Sequence, residues 1–382
     1  MTTTWMLRSL LVAAPRAARR PGVASTIVLV VAALAACSTP DAGPLASGWH
    51  LRTIDTAHDT GVMSDLAIDA SGARHVAYYE MRDTAVIRYA RQTDSGWSRE
   101  DVAYDANAID LSIAVDAQGR AHVAFMDASS HDLRYGVRDG ATWRLETVDA
   151  EGKVGWFAEL ALDAAGRPHI AYFRQGEWPD MAPADLRYAF HDGQRWTIET
   201  VFADFGGGCT NAIAIDALGQ PHIVFGGPGM VHASRVGGAW SFRLIDPVAI
   251  HYASVAIDSS GRPHASYYHW WEEDVRYAVL DAGAWRRESV VPDGQVVRST
   301  SLALDAHDRP HIAFNDPDAA VARYGYRDDD GWHVETVGAM SPRDHNHNSV
   351  ALALDGEGAP CLTFHHARYP GSTELRYAFR VP

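Results

Sequence analysis

The segment 113–148 reads IAVDAQGRAHVAFMDASSHDLRYGVRDGATWRLETV, and its pattern returns throughout the chain. Four short runs in it alternate apolar with polar residues, and turn residues such as Gly and Asp separate one run from the next. Alternation at a period of two, bounded by turn residues, is typical of β-strands. The segment therefore predicts a four-stranded antiparallel meander.

This unit occurs seven times between residue 48 and the C-terminus, and the same residue types mark each copy. An Asp ends the first strand at intervals of 42 to 53 residues, at Asp69, Asp116, Asp163, Asp216, Asp258, Asp305 and Asp355. Six residues later come His75, His122, His169, His222, His264 and His311, with Cys361 in the seventh copy. The third strand carries Tyr89, Tyr135, Tyr188, Tyr277, Tyr324 and Tyr377, and Ala233 interrupts this series in the fourth copy. The fourth strand opens with Trp97, Trp143, Trp196, Trp240, Trp285 and Trp332. A period of roughly 48 residues with four strands per unit is typical of propeller blades.

The two ends of the array complement each other. The seventh copy stops at Phe379 after its third strand, whereas Gly48 to Ile54 contains Trp49 and has the pattern of a fourth strand. Pairing these two segments would leave no unpaired sheet edge at the ends of the array. We therefore predict an all-β, seven-bladed β-propeller over residues 48–382, made of four-stranded antiparallel blades and closed by the N-terminal strand.

The recurrent residues are predicted to be structural. A carboxylate six residues from an imidazole suggests catalysis, but six copies of the pair suit a contact that every blade repeats. The same argument applies to the Arg of the Leu-Arg-Tyr motif and to the tryptophans of the fourth strands. We expect these residues to hold neighbouring blades together.

The N-terminal region has the features of an export signal. Residues 1–36 contain four arginines, no acid, and an apolar run over 23–36. The run ends in Leu-Ala-Ala-Cys at 34–37, which resembles the bacterial lipobox. This resemblance implies cleavage before Cys37 and acylation of that residue, and several acyl chains anchor a protein stably. Residues 1–36 are thus predicted to be a lipoprotein signal peptide and 37–47 a lipidated tether, although an ordinary signal peptide with a coincidental Cys is an alternative.

The predicted location follows from this signal. We expect a cell-envelope protein, anchored by lipid and facing the periplasm or the exterior, on the outer membrane if the cell is Gram-negative. The lipid would be its only membrane contact. A formal charge of -15, with no basic stripe, argues against nucleic acid as a partner, and we expect a monomer. Cys209 and Cys361 lie in different parts of the predicted ring and are not expected to pair.

The off-pattern aromatic residues all fall on one predicted face of the ring, which we call the loop face. This face carries the connections between the second and third strands and those between blades, and such loops commonly carry function. Blade four has a short Gly-Gly-Pro-Gly connection at 226–229, so its neighbours would flank a cleft. The predicted ligand-binding residues of the loop face are Trp156, Trp178, Trp270, Trp271, His251, His269 and Asn211. Indoles beside polar groups suit a glycan or another polar ligand, although these tryptophans could instead cap loop backbone.

Histidines form a second group on the same face. His251 and His269 are predicted to be cross-strand neighbours in blade five, as are His347 and His365 in blade seven. His345, His347, His365 and His366 are a candidate site for a divalent metal, which is the only cofactor that the sequence suggests. His347, His365 and Tyr78 are candidate acid/base residues, because Tyr78 is expected to reach the same end of the ring. Incidental clustering of histidines is the alternative.

The chain resembles two groups of secreted bacterial propellers over residues 48–382. Turns such as Arg138-Asp139-Gly140-Ala141-Thr142-Trp143 match the Asp-Gly and Trp of sialidase-type Asp boxes. The pair His347 and His365 with Tyr78 looks similar to the catalytic residues of ulvan-lyase-like propellers. This second resemblance implies a polysaccharide lyase that acts on uronate polymers. A glycan-binding propeller is our leading hypothesis, and a lyase and an envelope scaffold for protein interactions are the alternatives.

Overall fold

A computed structural model describes residues 47–104, 111–127, 129–176, 184–205, 210–248, 251–291, 299–340, 349–368 and 372–381. Within these residues, twenty-eight strands form seven sheets of four antiparallel strands each. Blade one comprises β2 (Asp59–Ile68), β3 (Arg74–Met81), β4 (Ala85–Thr93) and β5 (Gly96–Tyr104). Blade two comprises β6 (Leu111–Val115), β7 (Ala121–Asp127), β8 (Asp132–Asp139) and β9 (Thr142–Asp149). Blade three comprises β10 (Lys153–Leu162), β11 (Pro168–Gln175), β12 (Ala184–His191) and β13 (Trp196–Phe205).

The remaining blades follow the same order, and the last includes the N-terminal strand. Blades four to seven comprise β14 (Asn211–Ile215), β15 (Pro221–Gly227), β16 (Gly229–Val236), β17 (Ala239–Asp246); β18 (His251–Ile257), β19 (Pro263–His269), β20 (Asp274–Asp281), β21 (Ala284–Ser289); β22 (Thr300–Leu304), β23 (Pro310–Asp316), β24 (Val321–Asp328), β25 (Gly331–Ala339); and β26 (Val350–Leu354), β27 (Pro360–Arg368), β28 (Ser372–Val381), β1 (Gly48–Asp55). No helix that could cross a membrane occurs in the described part of the chain.

Strand β1 closes the ring as predicted. It pairs antiparallel with β28, with Gly48 opposite Val381 and Leu51 opposite Ala378. The N-terminal strand thus supplies the outer strand of blade seven, and the seven-bladed propeller is confirmed. Closure gives the final blade the same four-stranded form as the others and leaves no three-stranded sheet at the end of the array.

The Asp-x-x-Gly turns join the first and second strands of most blades. In blade one, Asp69 Oδ1 accepts hydrogen bonds from the backbone N–H groups of Ser71 and Ala73, at 2.9 Å each. Gly72 adopts φ +82°, a left-handed conformation that strains residues with a side chain. The predicted turn chemistry is confirmed.

The core lies between blades and is built from the recurrent aromatic residues. In each of the seven junctions, a fourth-strand Trp meets a third-strand ring of the preceding blade edge-to-face, at centroid distances of 5.2–5.6 Å. The pairs are Tyr89–Trp143, Tyr135–Trp196, Tyr188–Trp240, His232–Trp285, Tyr277–Trp332, Tyr324–Trp49 and Tyr377–Trp97. This geometry is favourable for aromatic pairs beyond the area they bury. The tryptophans therefore hold neighbouring blades together, as predicted.

The recurrent Asp, His and Tyr form a hydrogen-bonded chain inside blades one, two and five, whereas in blades three and six the His–Tyr bond is kept and the carboxylate lies 3.6 Å from the imidazole. In blade two, Asp116 Oδ2 lies 3.2 Å from His122 Nε2, and His122 Nδ1 lies 2.5 Å from the hydroxyl of Tyr135. A carboxylate only accepts, so Nε2 carries the imidazole proton and Nδ1 accepts from the tyrosine. Asp116 and His122 are both buried, which agrees with the structural role predicted for the Asp/His pair.

Blade four departs from the predicted pattern at a different residue from the one expected. Ala77 pairs with Tyr89 in blade one, and the corresponding Val224 pairs with His232. His232, and not Ala233, therefore occupies the tyrosine position. The sequence pattern had assigned Ala233 to the tyrosine position, one residue too late, because the turn before β16 is shorter than its counterparts in the other blades.

Candidate functional site

Apart from Tyr78, the predicted site residues that the structure describes lie near strand ends on one side of the ring. Consecutive antiparallel pairing within every blade places the start of each first strand and the end of each second strand on the loop face. Trp156, Asn211 and His251 lie near such starts. His269 and His365 lie near such ends, together with Trp270, Trp271 and His366. Trp178, His345, His347 and Cys37 lie outside the described residues.

The exposed tryptophans of this face belong to blade five. Trp270 and Trp271 are 59 % and 74 % exposed, on the turn 270–273 between β19 and β20, which we call the aromatic turn. The Trp270 ring lies 5.8 Å from that of His251 and 6.4 Å from that of Tyr268, which is buried. The fourth-strand tryptophans are partly buried between blades, so these two indoles are the exposed tryptophans of the described chain.

Polar contacts hold the aromatic turn in place. The backbone N–H of Glu272 donates to His269 Nδ1 at 3.2 Å, and Arg276 contacts both Glu272 and Asp274. Burial lowers the pKa of His269, so this imidazole is neutral at pH 7 and can accept. Burial raises the pKa of Asp274 to about 6. The turn is thus a fixed platform and not a loose loop.

The predicted pairing of His251 with His269 is wrong. His251 pairs with Tyr268, because the register shifts between His251 and Ser254, where Tyr252 has φ 54°. A one-residue shift moves a side chain to the other face of a sheet. His251 therefore approaches Trp270, whereas His269 Nε2 lies 3.8 Å from Asp246 of blade four.

The predicted metal set does not converge in its described members. His365 and His366 are neighbours on β27, and successive side chains of a strand point to opposite faces. His365 Nε2 lies 3.7 Å from Asp59 of blade one, whereas His366 Nδ1 lies 3.0 Å from the carbonyl oxygen of Ala339 in blade six. The described residues contain no group of three or more His, Cys, Asp or Glu that could hold a metal ion.

Tyr78 does not reach the loop face as expected. It is fully buried, and its hydroxyl donates to Asp55 Oδ2 at 2.6 Å, beside Arg88 Nη1 at 2.7 Å from the same oxygen. The same contact joins Tyr172 to Asp149 between blades two and three. Burial and the carboxylate raise the pKa of Tyr78, which opposes a role as a base. Tyr78 belongs to a structural network between blades.

The predicted cleft over blades three to five is described only in part. The short connection of blade four that would leave room for the cleft is present, since Gly227 pairs with Gly229 across a turn at Pro228. Asn211 is 3 % exposed and its Nδ2 donates to the carbonyl oxygen of Phe157 at 2.6 Å. Trp156 is half-buried and packs in the core between blades three and four. These two residues support the loop face from beneath.

Sequence reasoning missed Tyr268, Glu272 and Arg276, which surround the exposed indoles. The run Trp270-Trp271-Glu272-Glu273-Asp274 carried the available signal, because acids directly after exposed aromatic residues suggest polar contacts beside a stacking surface.

No family model matches the sequence, and no curated protein matches it. Among solved structures, an ulvan lyase bound to -[GlcA(1-4)Rha3S]- is similar at 12% identity, over 85% of this chain and 95% of that chain, with a TM-score of 0.56. AofleA from Arthrobotrys oligospora is similar at 11% identity, over 77% and 90%, with a TM-score of 0.52. SapL1 lectin in complex with alpha methyl fucoside is similar at 12% identity, over 75% and 99%, with a TM-score of 0.50. At these identities the likeness establishes the propeller fold that this chain shares with them.

Proposed function

We propose that this protein is a carbohydrate-binding propeller that engages a glycan at the aromatic turn of blade five. The observation that carries the proposal is the exposure of Trp270 and Trp271, at 59 % and 74 %, on a turn held by buried polar residues. Indole faces stack on the C–H faces of sugar rings, while flanking polar groups bond the hydroxyls. Two of the similar propellers are described with carbohydrate ligands, which supports this class of ligand.

The charges around the turn favour a neutral glycan. Glu272 and Glu273 are exposed beside the indoles, and Arg276 is engaged by Glu272 and Asp274. Since the chain carries a formal charge of -15, a polyanionic glycan would meet repulsion both locally and at long range. Neutral sugars can instead donate their hydroxyl protons to these carboxylates.

A uronate lyase is less well supported by the same residues. Its candidate base Tyr78 is buried against Asp55, and His365 lies beside Asp59 on the blade-one side of its strand. The described residues therefore do not bring an acid/base pair together at an accessible position. We keep glycan binding as the proposed function.

Glycan-array screening of the full chain, followed by isothermal titration calorimetry with the best ligand, tests the proposal. Trp270→Ala and Trp271→Ala should each weaken binding by about tenfold or more, as expected when a stacking anchor is truncated. Tyr104→Ala is the matched control, because Tyr104 is an exposed aromatic residue, 62 % accessible, at the loop-face end of blade one. Unchanged affinity in both tryptophan variants would contradict the proposed site.

We propose further that the protein is anchored to the cell envelope through Cys37. The support is the lipobox-like run at 34–37 after an arginine-rich, apolar leader. Metabolic labelling with a palmitate probe should mark the wild-type chain and not Cys37→Ser. Equal labelling of both chains would exclude acylation at this residue.

A further inference from the structure

Blade four replaces a Tyr with a His inside the core of the ring. His222 Nδ1 lies 3.0 Å from His232 Nε2, and the two rings stack at 5.2 Å with an interplanar angle of 17°. In the neighbouring blades, a tyrosine hydroxyl occupies the place of His232, as for His169 and Tyr188 at 2.6 Å. A buried imidazole can gain a proton in mild acid, whereas a tyrosine cannot.

The His232 ring is enclosed. It is 2 % exposed, and the edge of Trp285 from blade five meets it at 5.5 Å. Its Nδ1 is buried and has no hydrogen-bond partner among the described residues, and the same holds for Trp285 Nε1. Five of the other six junction tryptophans donate to a Glu of the preceding blade, as Trp143 does to Glu100. Blade four has Arg243 at the equivalent position.

The charged and titratable groups around the pair decide its protonation. Asp216 Oδ2 lies 3.6 Å from His222 Nε2, so Nε2 keeps the proton and Nδ1 accepts from His232. His232 Nδ1 then carries a lone pair. Burial lowers the pKa of His232 to about 3, and both His222 and Arg243 act in the same direction. Burial also lowers the pKa of His222, which Asp216 only partly offsets.

Protonation of His232 would damage this joint in three ways. It would place a charge in a desolvated site, leave a new N–H donor without an acceptor, and add repulsion from Arg243. Because Trp285 packs on this ring, the cost falls on the contact between blades four and five.

We propose that the His222–His232 pair makes the joint between blades four and five an acid-sensitive release point of the ring. At neutral pH both imidazoles are uncharged and the joint is closed. In acid, protons taken up by His232 favour local opening of β16 and of the blade-five strand that carries Trp285. This inference does not depend on the proposed glycan site, although His269, directly before the aromatic turn, lies 3.8 Å from Asp246 across the same junction.

The direction of the effect follows from linkage. The pKa of His232 is lower in the folded joint than its ordinary value near 6.5, so the open state binds the proton more readily. The stability of the joint is therefore complete above that ordinary value and falls as the pH drops below it. The opening equilibrium gains up to about tenfold per pH unit.

Hydrogen exchange of the full chain at pH 6.5 and 5.0, corrected for the intrinsic pH dependence of amide exchange, tests this proposal. In the wild type, His232 should contribute a rise of about fifteenfold to the opening constant measured in β16 and β21 between these pH values. In His232→Tyr, which restores the tyrosine of the other blades, the contribution of His232 should disappear and leave only the smaller rise due to His222, as for the single His169 of blade three. The same rise in His232→Tyr as in the wild type would overturn the proposal.

The reverse change, which builds a histidine pair in blade three, provides an independent test. Tyr188→His combined with Glu199→Arg builds the same pair with His169, beside an arginine as in blade four, at the joint between blades three and four, where Trp240 packs on the ring. This double variant should show a steeper acid-dependent rise in exchange in β12 and β13 than the wild type, where His169 alone contributes, while the other blades behave alike in both proteins. If this double variant folds and shows no steeper rise, the pair is not the cause of the acid sensitivity, whatever the outcome with His232→Tyr.

Discussion

Trp143 and Trp285 make the same kind of ring contact at a blade junction, but among the described residues only Trp143 has a hydrogen-bond partner for its indole N–H. Comparing them separates the stability due to the ring contact from the stability due to the hydrogen bond. Trp143 packs on Tyr89 at 5.3 Å and its Nε1 donates to Glu100 at 2.9 Å. Trp285 packs on His232 at 5.5 Å, and its buried Nε1 has no partner among the described residues. Replacement of each Trp by Phe keeps an aromatic ring and removes the N–H.

The expected difference can be estimated from these contacts. A hydrogen bond to a charged group contributes roughly 1.5–3 kcal/mol when buried. Glu100 is partly exposed and also held by Arg138 at 2.5 Å, so we expect the lower half of that range for Trp143. Trp285→Phe loses no hydrogen bond and removes an unsatisfied buried donor. Trp143→Phe should therefore be less stable than Trp285→Phe by about 1.5 kcal/mol, or about 2 °C in melting temperature for a chain of this length.

Thermal unfolding followed by near-ultraviolet circular dichroism measures both variants against the wild type. Glu100→Gln in each background completes a double-mutant cycle, which should give a coupling energy with Trp143 and none with Trp285. Equal losses for the two Phe variants, or a larger loss for Trp285→Phe, would refute the assignment of the junction energy to the indole hydrogen bond.

Three further predictions follow from buried or crowded positions. Tyr135→Phe should cost about 1–2 kcal/mol in unfolding free energy in a urea titration, because it leaves a buried imidazole nitrogen unpaired, whereas Tyr104→Phe on the surface should leave the same titration nearly unchanged. Gly229→Ala should lower the melting temperature more than Gly237→Ala, since a Cβ at Gly229 would meet the backbone oxygen of residue 246 at 2.5 Å and one at Gly237 meets open space; similar losses would contradict this. Asp274→Asn should be more stable than the wild type by about 1–3 kcal/mol above pH 6 and equal to it below about pH 4, because burial raises the pKa of Asp274 to about 6 and its ionisation then destabilises the fold; a constant difference across this pH range would exclude that pKa.

The placement of the candidate site was predicted only in part. The loop face was expected from strand order, and Trp270 and Trp271 lie there with exposed indoles. The pairing of His251 with His269 could not be predicted, because it depends on a bulge near Tyr252 that no composition signal marks. Tyr78 was expected to reach the loop face, and the burial of its side chain could not be predicted from the sequence either. Its sequence position resembles that of a loop-face residue, but its hydroxyl is used by the carboxylate of Asp55 from the neighbouring blade.

The repeated residues determined the architecture from sequence alone. Each copy of the unit encodes its own strands and turns through local alternation and Asp-Gly turn chemistry, and the orphan strand at Gly48 indicates how the ring closes. What the repeat could not reveal is which neighbour each side chain meets across a blade junction. That choice depends on register shifts of one residue and on packing between sheets, so only the folded ring shows that His232 faces Trp285.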